Sequence, residues 1–162
     1  MQGERLSGRL HAFTLVELMV TVAVVGLLAS VALPVAQVSM QRAKEHELRI
    51  ALREIRGALD AYKVAFDEGR IRARPGDSGF PPSLEALVEG VDDERDPKHV
   101  KIYFLRRVPR DPFADTSLPA AGAWGKRSYS STPEAPREGV DVFDVYSLAP
   151  GMGLNGVPYS QW

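Results

Sequence analysis

The chain opens on a short polar stretch, residues 1–12, with Arg5, Arg9 and Glu4, and then turns abruptly apolar. In residues 13–36, FTLVELMVTVAVVGLLASVALPVA, 18 of 24 positions are apolar and Glu17 is the sole charge. Arg42 is the next charge, so 24 uncharged residues follow Glu17. At ~1.5 Å per residue this run makes roughly 36 Å of helix, enough to cross the ~30 Å hydrocarbon core of a bilayer. The pattern predicts a transmembrane helix over 13–36, with the Arg-bearing flank cytoplasmic and the remainder across the membrane. Beyond it the period changes. Leu48, Leu52, Ile55, Leu59, Tyr62 and Phe66 follow one another at gaps of 4, 3, 4, 3 and 4, which places them in one stripe of an amphipathic helix. Residues 37–69 contain no proline, so that helix is predicted to run to a stop at Gly69. Glu45 and Arg49 read as an i,i+4 pair on its polar side. The stripe covers fewer than three heptads, which favours packing on the chain's own domain over a coiled coil.

The remaining pattern is shorter in range. Residues 70–82 form a loop with Arg70, Arg72 and Arg74 among Gly and Pro turn signals. Residues 83–89 read as a short helix that turns Leu84, Leu87 and Val88 toward the long one. Asp92, Asp93, Glu94 and Asp96 form an acidic run. It reads as a solvated loop, or as a contact for the arginine loop of a neighbouring subunit. Strand signals lie at 128–132 and above all at 140–148, where β-branched and aromatic residues concentrate. A small antiparallel sheet on the long helix gives an α+β fold. Asp141 and Asp144, three apart on a strand, point to opposite faces and read as surface or turn residues.

Composition removes several classes of chemistry. With 162 residues the chain is sized for one domain. A formal net charge of −1 provides no general attraction to nucleic acid. There is no cysteine, hence no disulfide, thiolate metal site or thiol nucleophile, and His11, His46 and His99 are the only imidazoles. Gly76-Asp77-Ser78-Gly79 has the look of a serine-protease nucleophile segment, but no histidine is poised to act as its base. No constellation of nucleophile, base and oxyanion donors supports an enzyme, and no metal site is expected.

The apolar block has three readings. A secretory signal would be cut after Ser30-Val31-Ala32 and release a soluble domain from Leu33, although the run is long for such a signal and carries a carboxylate in its first turn. A plain anchor, tethering a periplasmic binding module, would have no reason to keep Glu17, which costs ~3 kcal/mol or more in a bilayer. The third reading comes from the residues themselves. Ala12 followed by Phe13-Thr14-Leu15-Val16-Glu17-Leu18-Met19 resembles the processing motif of type IV prepilins and pseudopilins. The resemblance implies cleavage between Ala12 and Phe13 by the prepilin peptidase, N-methylation of Phe13, and retention of Glu17 for filament assembly. Residues 1–12 are then a leader peptide. Gly is usual before the cut, so Ala12 is a departure, while Pro34 matches a proline common in these helices.

The physics agrees with that motif. A free α-amino group on Phe13 can pair with Glu17 of a neighbouring subunit, and losing either partner of a fully buried pair costs ~3–5 kcal/mol. Pro34 has no N–H and frees the Ser30 carbonyl, giving the helix a place to bend. Ala23, Gly26 and Ser30 would let helices approach closely, or serve as lipid-facing filler.

Farther on, Tyr103-Phe104-Leu105-Arg106-Arg107-Val108-Pro109-Arg110-Asp111-Pro112-Phe113, the segment 142–151 and Trp162 are similar to motifs of the major, G-type pseudopilins of type II secretion. That resemblance implies a periplasmic domain over 37–162 and a homopolymer formed with other pseudopilins on an inner-membrane assembly platform, contacting lipid but no nucleic acid. Its filament pushes cargo toward the outer membrane. The alternative is a type IV pilus pilin, used for adhesion, motility or DNA uptake. Two departures stand out. Residues 114–123 look inserted and are expected to form a Pro/Ala/Gly-rich surface loop. The family also typically binds calcium through a C-terminal loop bearing aspartates, whereas 150–161 holds no carboxylate. Backbone carbonyls and Asn155 alone make a weak site, so no cofactor is expected, with Met152, Leu154 and Trp162 packing the loop instead.

Overall fold

The computed structural model describes residues 14–162. It divides into two compact units, one ending at Met40 and the other Gln41–Trp162. The expected leader 1–12, the expected cut between Ala12 and Phe13, and the expected methylation at Phe13 lie outside the described residues.

Helix α1 (Leu15–Asp67) contributes to both units. In the first unit it is apolar on every side, with Leu15, Val16, Leu18, Met19, Val22, Val25, Leu27 and Leu28 all exposed. A helix hydrophobic all round needs lipid or other helices as its surroundings. It is long and apolar enough to cross a membrane.

In the second unit the same helix becomes one-sided. Leu48, Leu52, Ile55, Leu59 and Tyr62 are buried, with Ala51, Ala58 and Ala65 beside them, and Phe66 packs on the edge of this core. The stripe is therefore covered by its own domain. The helix ends in a Schellman turn: the Gly69 N–H donates to Phe66 O and the Arg70 N–H to Ala65 O, both at 2.9 Å. Gly69 has φ +69°, a left-handed backbone that costs a side chain about 1 kcal/mol.

Helix α2 (Leu84–Glu89) is capped by Ser83, whose hydroxyl accepts the Ala86 N–H at 3.4 Å. Leu84 and Leu87 are fully buried and Val88 packs against the same core. Strands β1 (Val91–Asp92) and β2 (Lys101–Ile102) pair antiparallel, Val91 opposite Ile102. A second antiparallel pair joins β3 (Trp124–Arg127) to β4 (Asp144–Ser147), Trp124 opposite Ser147 and Arg127 opposite Asp144. The architecture is α+β, with two small two-stranded sheets.

The strands fall elsewhere than the pattern predicts. Residues 128–132 are a turn: the Ser131 N–H donates to Ser128 O at 3.1 Å, and the Ser128 hydroxyl is engaged by Asp141. Serine side chains there compete with a ladder, and the strand lies just upstream. Residues 140–148 yield only four strand residues, because the Val142 N–H turns to Pro81 O at 2.8 Å.

The 114–123 segment is no simple surface loop. Its second half is a 3-10 turn, Ala120–Ala123, in which Ala121 and Ala123 are buried. Its first half is held by the Arg110 guanidinium, which donates to Thr116 O at 3.1 Å and also to Leu118 O.

Candidate functional site

The segment to which the resemblance assigns assembly is described from Thr14, which caps α1. Its hydroxyl accepts the Glu17 N–H at 3.2 Å, so Glu17 sits in the first turn. The helix dipole is positive there, and a carboxylate at that end is favoured by ~0.3–1 kcal/mol. Glu17 is exposed. Thr21 and Ser30 return their hydroxyls to Leu18 O and Leu27 O, at 2.8 and 2.7 Å, so neither presents an unpaired donor to lipid. Pro34 lies inside the helix, where it denies the Ser30 carbonyl its usual donor. Gly26 has open space around it.

In the Gln41–Trp162 unit, polar side chains connect segments far apart in sequence. Asp111 and Ser147 are both buried. The Ser147 hydroxyl donates to Asp111 Oδ2 at 2.5 Å, while Asp111 Oδ1 accepts the Phe113 N–H at 2.8 Å. This bond joins the 103–113 and 142–151 segments. Trp124, fully enclosed, donates its indole N–H to Pro109 O at 2.9 Å. Arg56 reaches from α1 to Asp144 Oδ1, Val145 O and Trp162 O, at 2.8, 3.0 and 2.7 Å.

Asp141 and Asp144 are not simple surface residues. Asp141 is buried and accepts the Ser128 hydroxyl at 2.6 Å and the Tyr129 N–H at 3.1 Å. Burial pushes its carboxyl up, but hydrogen bonds from Ser128, Ser78 and backbone N–H groups outweigh that and hold it below the usual range. Asp144 is shared by Arg56 and Arg127. In the acidic run, Asp93 takes the Arg70 guanidinium of its own chain at 2.7 and 3.0 Å. That hydrogen bond holds the Asp93 carboxyl low and Arg70 high. Arg70 is thus used within the subunit, and Arg72 and Arg74 remain exposed.

The C-terminal loop is held differently from expectation. Met152 and Leu154 are exposed, so they do not pack it. Tyr159 is buried, stacked on Phe113 at 4.4 Å between centroids and edge-on to Trp162 at 5.2 Å. Glu45 is buried too, 3% exposed, and so belongs to the covered side of α1. Its Oε1 accepts the Leu154 N–H at 2.8 Å, Gln41 Nε2 at 3.1 Å and the Tyr159 hydroxyl at 3.2 Å. Only its other oxygen faces Arg49, at 3.8 Å. Burial raises the Tyr159 phenol above its usual pKa, against the hydrogen bond from Gln41. Gln41, Glu45, Arg56 and Tyr159 are the residues that the sequence reading missed as a group, since their partners lie about a hundred positions away.

Comparison with known proteins sorts these features. Residues 9–33 match the family described as the prokaryotic N-terminal methylation motif. The chain is 30% identical over 119 residues to the type II secretion system core protein G of Pseudomonas aeruginosa, covering 71% of this chain and 73% of that protein. The chain belongs to the type II secretion system core protein G family. Core protein G of Klebsiella pneumoniae is 29% identical over 160 residues, 94% of this chain and 90% of its own. That of Dickeya chrysanthemi is 25% identical over 154 residues, 91% and 94%. No solved structure matches the chain at a comparable level. The match to the Klebsiella core protein G takes in both the apolar helix and most of the folded unit, so family membership rests on more than the methylation motif.

Proposed function

We propose that this core protein G family member is a structural, non-catalytic subunit of a type II secretion pseudopilus. It is cut and N-methylated at Phe13 by the prepilin peptidase, anchored in the inner membrane by the 13–36 span, and polymerised with its own copies and other pseudopilins into a periplasmic filament that drives export. One observation carries the reading: an exposed, apolar helix whose first turn holds Glu17, four positions after Phe13 in the sequence. A soluble domain has no use for such a surface. Packing these helices head to tail buries it, and pairs each Glu17 with a neighbour's amino group in a contact that need not close into a ring.

The test is made in cells containing the secretion machinery. The N-terminal peptide of the membrane-purified protein is expected to begin at methylated Phe13. Glu17→Ala is expected to leave the subunit cleaved and inserted but unassembled, with export lost. A chain beginning at Leu33, or normal filaments from Glu17→Ala, would refute the proposal.

A further inference from the structure

The loop 150–161 has only neutral oxygens to offer a hard cation, and several of them already accept hydrogen bonds within the chain. Gly151 O accepts the Tyr159 N–H at 3.3 Å, Gly153 O the Gly156 N–H at 2.9 Å, and Val157 O the Gly153 N–H at 2.9 Å. Met152 O accepts Gln41 Nε2 at 3.4 Å, and Asn155 Oδ1 accepts the Val157 N–H at 3.1 Å. A calcium ion takes six to eight oxygens, usually including carboxylates. Among the described residues no three His, Asp or Glu side chains gather as a ligand set. The residues present therefore do not fit calcium.

The carboxylate that does reach the loop comes from the helix. Glu45 lies under the loop with Oε1 surrounded by three donors, one of them the loop's own Leu154 N–H. An anion pulling in N–H and O–H groups orders a loop as a cation pulling in carbonyls does, with the charges reversed. Gly153 completes the fit: a Cβ there would stand 2.3 Å from the Trp162 ring, so only glycine lets the ring lie over the loop. Arg49 covers the outer face of that ring at 4.4 Å.

We propose that the Glu45 carboxylate, with Gln41 and Tyr159, is the anchor of the C-terminal loop, and that this chain folds it without calcium. The inference concerns the folded unit alone, so filament assembly and its failure do not bear on it.

The experiment uses the full chain in detergent micelles. The protein is melted in excess EGTA and in calcium well above the ~10⁻³ M at which weak extracellular sites fill, and calcium binding is followed by titration calorimetry. The two melting midpoints are expected to agree within ~1 °C, with no binding heat. Chymotrypsin cleavage at exposed Met152 and Leu154 reports loop opening. Glu45→Gln is expected to accelerate it on the order of tenfold in either buffer. Tyr159→Phe removes one donor to the same oxygen and keeps the ring, so a smaller acceleration is expected, and this variant decides the matter should Glu45→Gln not fold. A calcium-induced rise in midpoint that EGTA reverses overturns the proposal, as does wild-type cleavage in the variant read.

Discussion

Replacing Ser147 by alanine removes one hydroxyl from the junction between the 103–113 segment and β4. Ser147 has no solvent exposure, and Asp111 is 4% exposed, so water cannot substitute for the lost donor. Two bonds disappear: the hydroxyl to Asp111 Oδ2 at 2.5 Å, and the Ala149 N–H to Ser147 Oγ at 3.1 Å. A hydrogen bond to a charged group contributes ~1.5–3 kcal/mol, and the half-buried Ala149 N–H left without its partner costs up to ~1 kcal/mol more. Asp111 keeps the Phe113 N–H, which bounds the loss. The expected destabilisation is ~3 kcal/mol. At roughly 4 °C per kcal/mol for a folded unit of this size, the melting midpoint falls by about 12 °C. Near-UV circular dichroism of the full chain in detergent reads it, since Trp124 packs opposite Ser147 across the sheet. Ser160→Ala, at an exposed position, serves as control and should stay within ~0.5 kcal/mol. A Ser147→Ala loss below ~1 kcal/mol would refute the reasoning. So would a cycle with Asp111→Asn in which the two substitutions add without coupling.

Further expectations follow the same logic. Because Asp141 is held below the usual carboxylate range, its contribution is present above the ordinary carboxylate pKa and is lost as pH falls through the lowered folded value; Asp141→Asn should flatten the acid limb of a stability-against-pH curve below about pH 5. Gly69→Ala forces a side chain into φ +69° and should cost about 1 kcal/mol by urea unfolding, with a larger loss for a β-branched residue. Arg110→Ala frees the carbonyls of Thr116 and Leu118 and should raise protease cleavage at 114–118 while leaving the unfolding free energy within ~1 kcal/mol of wild type. Ala12→Gly restores the residue usual before the cut in the family, and a pulse-chase of leader removal should show processing as fast as, or faster than, wild type.

Periodicity carried the long helix. Its stripe from Leu48 to Phe66 and its end near Gly69 depend on local spacing and one backbone conformation, and both can be read from consecutive residues. The short helix was legible for the same reason, through the apolar positions of Leu84, Leu87 and Val88. The strand at 124–127 was not. Gly125, Lys126 and Arg127 have weak strand preference, and what makes them a strand is their pairing with β4. Glu45 was misplaced because a carboxylate one turn before Arg49 looks like a surface pair. Its burial is set by Leu154 and Tyr159, 109 and 114 positions away. Asp141 was misread likewise, its partner Ser128 being fixed only once the 128–131 turn forms. At the N-terminus, Glu17 stood out because a lone charge in an apolar run is costly, a judgement that needs no tertiary information.

The wide sequence separation between α1 and the groups that cover it also sets a timetable. During synthesis the stripe of Leu48, Leu52, Ile55 and Leu59 is made early, while Val142, Val145 and Tyr159, which share its core, come last. At ~5–20 residues per second, the 114 positions from Glu45 to Tyr159 take roughly 6–23 s to translate. Through that interval the stripe is only partly covered, by Ile71, Leu84, Leu87 and Leu105, which are made soon after it. Nascent chains arrested before Asp144 are therefore expected to stay more protease-sensitive over 41–143 than the completed chain.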